Sequence, residues 1–235
     1  MDADPNRDLA VVAAARNEAD RIGATIGALR DAFPGASLWV ADDASTDGTA
    51  DAAMVAGARV VSRGRSHGKG GNVGAALEAA LSDDVPPAIV LLCDGDLGAS
   101  AAGLGPLVDA VERGDCDLAV ASFGRRVGGG FGIALGFARW AIRRRCGLVT
   151  EAPISGQRAA RPEVLRAAMP FAHGYGLEVG MTIDAVRAGY RLREYELDLS
   201  HRATGRDLRG FAHRGRQLLD FLRVYLARRS RFSDQ

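Results

Sequence analysis

The chain has 235 residues, 47% hydrophobic and 25% charged, with three cysteines at unrelated spacings, Cys93, Cys116 and Cys146. That length and balance suit a globular fold with its own core, and the odd cysteine count excludes a disulfide scaffold and a CxxC zinc site. The start of the chain is acidic and polar, and no apolar run reaches the roughly 18 residues of a membrane span, so neither a signal peptide nor a transmembrane helix is expected.

A net charge of +1 conceals an asymmetry: His201 to Phe232 holds nine arginines against two aspartates, +7, which leaves −6 on the remainder. A basic tail on an acidic body suits an anionic surface or ligand at one end. Lys69 is the only lysine.

The first half alternates strand-like and helix-like segments. Leu9 to Ala15 reads as a strand, then Glu18 to Ala32 as a helix with Ile22, Ile26 and Leu29 on one face. Ser37 to Ala41 is the next strand, ended by Asp42, followed by a helix at Thr49 to Ala56 and a strand at Arg59 to Ser62. A helix at Asn72 to Leu81 precedes Ala88 to Cys93, a continuous apolar strand stopped by Asp94. Such alternation predicts a mainly parallel sheet with helices on both faces, which binds ligands beyond the carboxyl ends of its strands. Arg16-Asn17-Glu18, Asp42-Asp43 and Asp94-Gly95-Asp96 all fall there.

The second half is less regular. Asp117 to Ser122 reads as a strand, Gly128 to Gly130 as a flexible loop and Ile133 to Arg145 as a helix. Ile154 to Ala159 and Tyr190 to Leu199 are strand candidates around a helix near Leu177 to Ala188. No repeat or linker divides the chain, so one domain is expected over 1–235.

Asp94-Gly95-Asp96 places two carboxylates at a strand end with a glycine to ease the turn, a pattern that can hold a hard divalent cation against diphosphate oxygens. A strand-ending cap is the structural alternative. The segment Asp42 to Thr49 reads as a turn and helix cap, with Ser45 or Asp47 capping and Gly48 in an unusual backbone angle. Within it Asp43 is the candidate for a base or ribose contact and Asp47 for structure. Gly68-Lys69-Gly70-Gly71-Asn72 resembles a phosphate cradle but lacks the Ser or Thr of a P-loop, which disfavours a nucleotide kinase. His201, after a strand candidate, is a candidate metal ligand or a capped structural histidine. In the tail, Leu208, Phe211, Leu218, Leu222 and Tyr225 or Leu226 recur at helical spacing among arginines. This predicts a helix that docks its apolar stripe on the domain, lies on anionic lipid, or does both.

Together the apolar first strand, Asn17-Glu18, the DDASTDGT segment, GKGG and DGD resemble a family 2 nucleotide-sugar glycosyltransferase of the GT-A type. Ser122 to Arg125, the glycine triplet, Gly156-Gln157-Arg158, Gly174 to Gly180 and His201-Arg202 extend that resemblance to the retaining glucosyl-3-phosphoglycerate synthases, over about residues 9–205. The resemblance implies a GT-A fold with a nucleotide half at 1–100, an acceptor half at 101–205 and a basic C-terminal helix at 206–235. It implies a donor site of Ala15, Glu18, Asp43, Lys69, Asp94, Gly95, Tyr175 and Glu178, with Tyr175 and Glu178 toward the sugar. Catalytic roles fall to Asp96, Lys69 and Glu178, and a Mg2+ or Mn2+ ion to Asp96 and His201.

The chain departs from the synthases where they grip the acceptor's phosphate. An arginine and a threonine there correspond to Phe131 and Ile133, and an asparagine after the metal histidine corresponds to Ala203. Apolar side chains compensate a buried phosphate poorly, which points away from 3-phosphoglycerate and toward a polyprenyl phosphate or another amphiphile. Gly156-Gln157-Arg158 also resembles the motif of inverting polyprenyl-phosphate sugar transferases.

The expected activity is hexosyl transfer from a UDP-sugar to a phosphate-bearing or amphiphilic acceptor, retaining, with the inverting polyprenyl-phosphate reaction as the alternative. No acidic base motif follows the DGD, which suits a retaining mechanism or a phosphate acceptor. Two other classes compete: a sugar-phosphate nucleotidyltransferase, disfavoured because AAARNE stands where its glycine loop would be, and a lipid-surface binding protein. Expected partners are the nucleotide sugar, a small or lipid-linked acceptor and a second copy of the chain, with no nucleic acid. The expected location is cytoplasmic, with peripheral membrane contact through 206–232.

Overall fold

The computed structural model describes residues 6–122, 132–199 and 208–228. Its centre is a seven-stranded sheet in the order β3-β2-β1-β4-β6-β5-β7. The strands are β1 (Leu9–Ala15), β2 (Ser37–Asp42), β3 (Arg59–Ser62), β4 (Ile89–Asp94), β5 (Leu118–Ser122), β6 (Arg158–Ala160) and β7 (Leu192–Glu196). All neighbours pair in parallel except β6, which is antiparallel to both β4 and β5. This is the mixed, mainly parallel α/β arrangement expected.

Side-chain alternation along the strands separates two apolar layers. Val11, Ala13, Val40, Leu91 and Cys93 face helix α1 (Ile22–Ala32) and helix α4 (Gly105–Glu112), where Ile22, Ile26, Leu29, Leu107 and Val111 cover them. Ala10, Val12, Ala41, Val90 and Leu92 face the other way, against Val73 and Leu77 of α3 (Gly68–Leu81), Leu165 of α6 (Pro162–Ala168) and Met181 of α7 (Leu177–Arg187). Because β1, β2 and β4 are buried on both faces, their sequences are continuous apolar runs. Helix α2 (Thr49–Val55) connects β2 to β3.

A third cluster joins α5 (Ile133–Cys146), α7 and α8 (Leu208–Ala227) through Ala138, Ile142, Val179, Ile183, Phe221 and Val224. The C-terminal helix therefore docks on the domain. Glycines make the docking close: a Cβ on Gly176 would lie 2.5 Å from Val224 Cγ2, and one on Gly180 2.8 Å from Arg228 Nη2. Among the described residues no helix is long and apolar enough to cross a membrane.

Two expectations are corrected. Helix α3 begins at Gly68, four residues before Asn72, so GKGG is its first turn and not a loop. The reason is packing: a Cβ on Gly70 would collide with the Ala172 carbonyl oxygen. The strand expected at Ile154 to Ala159 is only the three residues of β6. The sequence also left unmarked the 3-10 turn Gly98–Leu104, α4 and α6, which are short or built from small residues without a clear period. The glycine triplet at Gly128 to Gly130 lies outside the described residues, as do Phe131, His201 and Ala203.

Candidate active site

Strand order reverses about β1, whose neighbours are β2 and β4, and the carboxyl ends of these three strands open into one cleft of about 570 Å³. The turns after β1 and β2 are locked together. Asn17 and Ala44 both have φ in the left-handed region, 55° and 54°, a conformation that costs a non-glycine residue about 1–2 kcal/mol. Reciprocal bonds hold it: Asn17 N donates to Ser45 Oγ at 2.9 Å, and Thr46 N to Asn17 Oδ1 at 3.0 Å. Glu18 N donates to Thr49 Oγ1 at 2.8 Å. Asp47 accepts from Thr49 N and Ala19 N, the structural role expected of it, while Gly48, at φ 86°, is the residue that caps α2.

Asp43 ties the end of β2 to the start of α3. Its carboxylate accepts from Ser66 Oγ and His67 N at 2.8 Å, from Gly68 N at 3.1 Å, from Asn72 Nδ2, and from Arg16 Nη1 at 3.3 Å. Burial opposes its charged form, but the Ser66 hydroxyl, the His67 N–H, Arg16 and the Gly68 N–H outweigh that and lower its pKa. Five donors fill a carboxylate's lone pairs. A ligand N–H at Asp43 must therefore displace one of them, and Arg16, whose side chain is 57% exposed, is the loosest.

The floor of the cleft is a half-buried charge cluster. Lys69, second residue of α3, places Nζ 2.6 Å from Asp94 Oδ1 and 2.7 Å from Glu178 Oε1 on α7. Burial works against the ammonium, yet Asp94 and Glu178 override it and hold Lys69 protonated far above its ordinary range. Gln157, entering β6, donates from Nε2 to Asp94 Oδ2 at 2.7 Å and accepts from Ser155 Oγ. Behind it the buried Arg158 donates to Ser155 O and Thr182 Oγ1. Burial brings its pKa down to about 10 against the pull of Glu178 and Glu194.

The Asp94-Gly95-Asp96 turn is braced from α1. Thr25 Oγ1 donates to Gly95 O at 2.8 Å and accepts from Gly98 N, and Arg21 donates to Asp96 O. A Cβ on Gly95 would stand 3.0 Å from Ala15 Cβ and 3.1 Å from Ala14 O, so only glycine lets the turn sit this close to β1.

Ala15, Glu18, Asp43, Lys69, Asp94, Gly95 and Asp96 all line this cleft, and so do Tyr175 and Glu178. Every expected site residue within the described part of the chain is thus brought to one place. His201 lies outside it, and among the described residues no cluster of three or more metal-type ligands forms. The sequence had not given roles to Gln157, Gly156 or Thr25. Thr25 did carry a signal, as a polar residue inside the apolar stripe of α1. Gln157 stood within the Gly156-Gln157-Arg158 motif, but its contact with Asp94 depends on the antiparallel insertion of β6.

Comparison with known proteins agrees with this geometry. Residues 10–160 match the family model for glycosyl transferase family 2. Glucosyl-3-phosphoglycerate synthase of Mycolicibacterium paratuberculosis is 35% identical over 204 residues, covering 76% of this chain and 60% of that protein. The chain thus spans less than two thirds of that relative's length. Undecaprenyl-phosphate mannosyltransferase of Micrococcus luteus is 33% identical over 205 residues, 80% of this chain and 82% of the relative. The crystal structure of glucosyl-3-phosphoglycerate synthase from Mycobacterium tuberculosis with Mn2+, UDP-glucose and glycerol 3-phosphate superposes with a TM-score of 0.73 at 30% identity, covering 94% of this chain and 80% of that one. With more than half its length inside the family model and these identities beside it, the chain belongs to glycosyl transferase family 2.

Proposed function

We propose that the chain transfers a hexosyl group from a UDP-sugar to a phosphate-bearing or amphiphilic acceptor, with retention at the anomeric carbon. The observation that carries this reading is the Lys69–Asp94–Glu178 cluster at the floor of a cleft walled by Arg16, Glu18 and Asp43. Glu18, Asp43 and the Ala15 backbone would hold the nucleoside, and Asp94 would reach the ribose. Lys69, kept cationic by its two carboxylates, would face the diphosphate, while Tyr175 and Glu178 would stand on the sugar side. In the transfer the bond from the anomeric carbon to the diphosphate oxygen breaks, UDP takes the electron pair, and an acceptor oxygen bonds to that carbon. A hydroxyl acceptor releases its proton to the leaving oxygen; a phosphate acceptor has none to lose.

The donor set also suits a hard divalent cation. Asp94 and Glu178 are held by Lys69, while Asp96, set at the end of the Gly95 turn in a cleft whose nearby charges sum to −2, is a hard oxygen donor of the kind such an ion takes. Asp96 would hold Mg2+ or Mn2+, with His201 as the second ligand by resemblance. When bound, such an ion stabilises the charge of the leaving diphosphate.

A lipid-linked phosphate acceptor is the second reading, favoured by the apolar Ile154 and Phe221 in the cleft wall. The remaining parts of the proposal are a single domain over 1–235, a second copy of the chain as partner, and a cytoplasmic location with membrane contact through 206–232. UDP release from UDP-glucose, measured with Mn2+ and with 3-phosphoglycerate, glycerol 3-phosphate or undecaprenyl phosphate, tests the activity. Acceptor-dependent release supports it, and the responding acceptor separates the two readings. Release with none of these, or with EDTA as fast as with Mn2+, counts against it.

A further inference from the structure

Helix α8 has two apolar faces, and only one is buried. Phe221 and Val224 pack inward, while Leu219, Leu222 and Leu226 form a stripe that stays exposed, at 55%, 40% and 53%. Tyr225 joins this stripe to α5, where its ring lies 4.8 Å from that of Trp140, itself 49% exposed. On α5, residues 133, 136, 140, 143 and 144 fall on one side of the helix, and Ile133 is exposed there too. Five of the ten large apolar side chains left exposed among the described residues lie on these two helices. That is more than scattered surface hydrophobicity, and it marks an interaction surface.

Its charge narrows the choice of partner. Arg143 and Arg144 are exposed beside Trp140, and Arg223 beside Leu222 and Leu226. Helix α5 contains no acidic residue. The only acid of α8 is Asp220, which turns inward to accept from Tyr175 N while pairing with Arg223. We propose that this α5–α8 face docks on an anionic lipid surface, with Trp140 and the three leucines in the headgroup–acyl boundary and the arginines on lipid phosphates. A second copy fits less well, because a twofold contact would set these arginines against one another without carboxylates to meet them.

The inference deepens the membrane contact proposed above for 206–232 by adding the face of α5, and it stands without the donor-site reading. Its bearing on that site is positional. Helix α8 also supplies Gln217 and Phe221 to the cleft wall, so a bilayer on its outer face lies about one helix diameter, roughly 10 Å, from the cleft.

The test sediments the full chain with phosphatidylcholine vesicles and with vesicles in which about a third of the lipid is phosphatidylglycerol. Binding is expected only to the anionic vesicles and should weaken with added salt. Trp39 is buried, so a blue shift in emission on binding would report Trp140 and should vanish in Trp140→Phe. Leu222→Glu with Leu226→Glu is expected to cut vesicle binding at least tenfold, and Arg143→Ala with Arg144→Ala about fivefold per arginine, both with unchanged melting temperature. No binding to anionic vesicles, or binding indifferent to the leucine variants, overturns the proposal. A dimer in sedimentation velocity that the leucine variants dissociate also overturns it, by giving the face to a second copy. UDP-glucose binding should be unchanged in those variants, so failure of the lipid proposal and failure of the donor-site reading remain distinguishable.

Discussion

Lys69 Nζ lies 2.6 Å from Asp94 Oδ1, and the backbone of Gly156 closes over that pair. A Cβ on Gly156 would stand 2.6 Å from Nζ and 2.7 Å from Asp94 Oδ2. The chain thus presses the backbone just before β6 against a half-buried ion pair, which fixes both groups relative to Gln157 and Glu178. An ammonium held in this way meets a developing anion without reorganisation once a cation offsets the two carboxylates around it.

Gly156→Ala tests whether that closeness matters. The added methyl must push Lys69 or Asp94 aside, so the variant is expected to lose about 1–3 kcal/mol of stability, the usual range for overpacking. Turnover should fall by at least tenfold. Thermal melts and UDP-release rates on the same preparation check both; wild-type turnover would show that the pair is structural only.

Lys69→Met removes the one cation between Asp94 and Glu178. Two carboxylates are then left facing each other, and breaking a partly buried pair costs about 3–5 kcal/mol at most, less here because Asp94 is a third exposed. Turnover should drop by about a hundredfold or more. Since Lys69 stays charged far above neutrality, the wild-type rate should show no alkaline loss from this residue up to about pH 10. A pH–rate profile with a lysine-like limb below that would contradict the assignment.

Asp43→Asn probes the anchor between β2 and α3. Asparagine cannot accept from five donors, so a loss of about 1–3 kcal/mol is expected at neutral pH. The folded pKa of Asp43 lies below its unfolded value. Its contribution is therefore complete above the ordinary carboxylate range and is lost as pH falls through the depressed value. The gap in urea midpoint between wild type and Asp43→Asn should hold steady down to about pH 4 and close below it.

Much of the site could be read from the sequence because β1, β2 and β4 are doubly buried strands, and a polar residue after such a run marks its carboxyl end. Arg16, Asp43 and Asp94 were located that way. What stayed hidden depended on non-local pairing or close packing. Gln157 reaches Asp94 because β6 runs antiparallel between β4 and β5, which no local pattern encodes. Glycines 68, 70 and 71 suggested a phosphate cradle ahead of the helix, yet they form the first turn of α3, and Gly70 lets it press against the Ala172 carbonyl. Helix α8 was legible as amphipathic, but the residues that dock are Phe221 and Val224, while Leu222 of the expected stripe stays exposed.

The most direct test is calorimetric titration of UDP-glucose into wild type and Asp96→Ala, with Mn2+ and with EDTA. Asp96 lines the cleft at the end of a turn braced by Thr25 and Arg21, so its replacement by alanine should leave the fold and melting temperature intact. The account predicts Mn2+-dependent donor binding by wild type and loss of that dependence in Asp96→Ala. Donor binding equally strong with EDTA, or unaffected by Asp96→Ala, would contradict it.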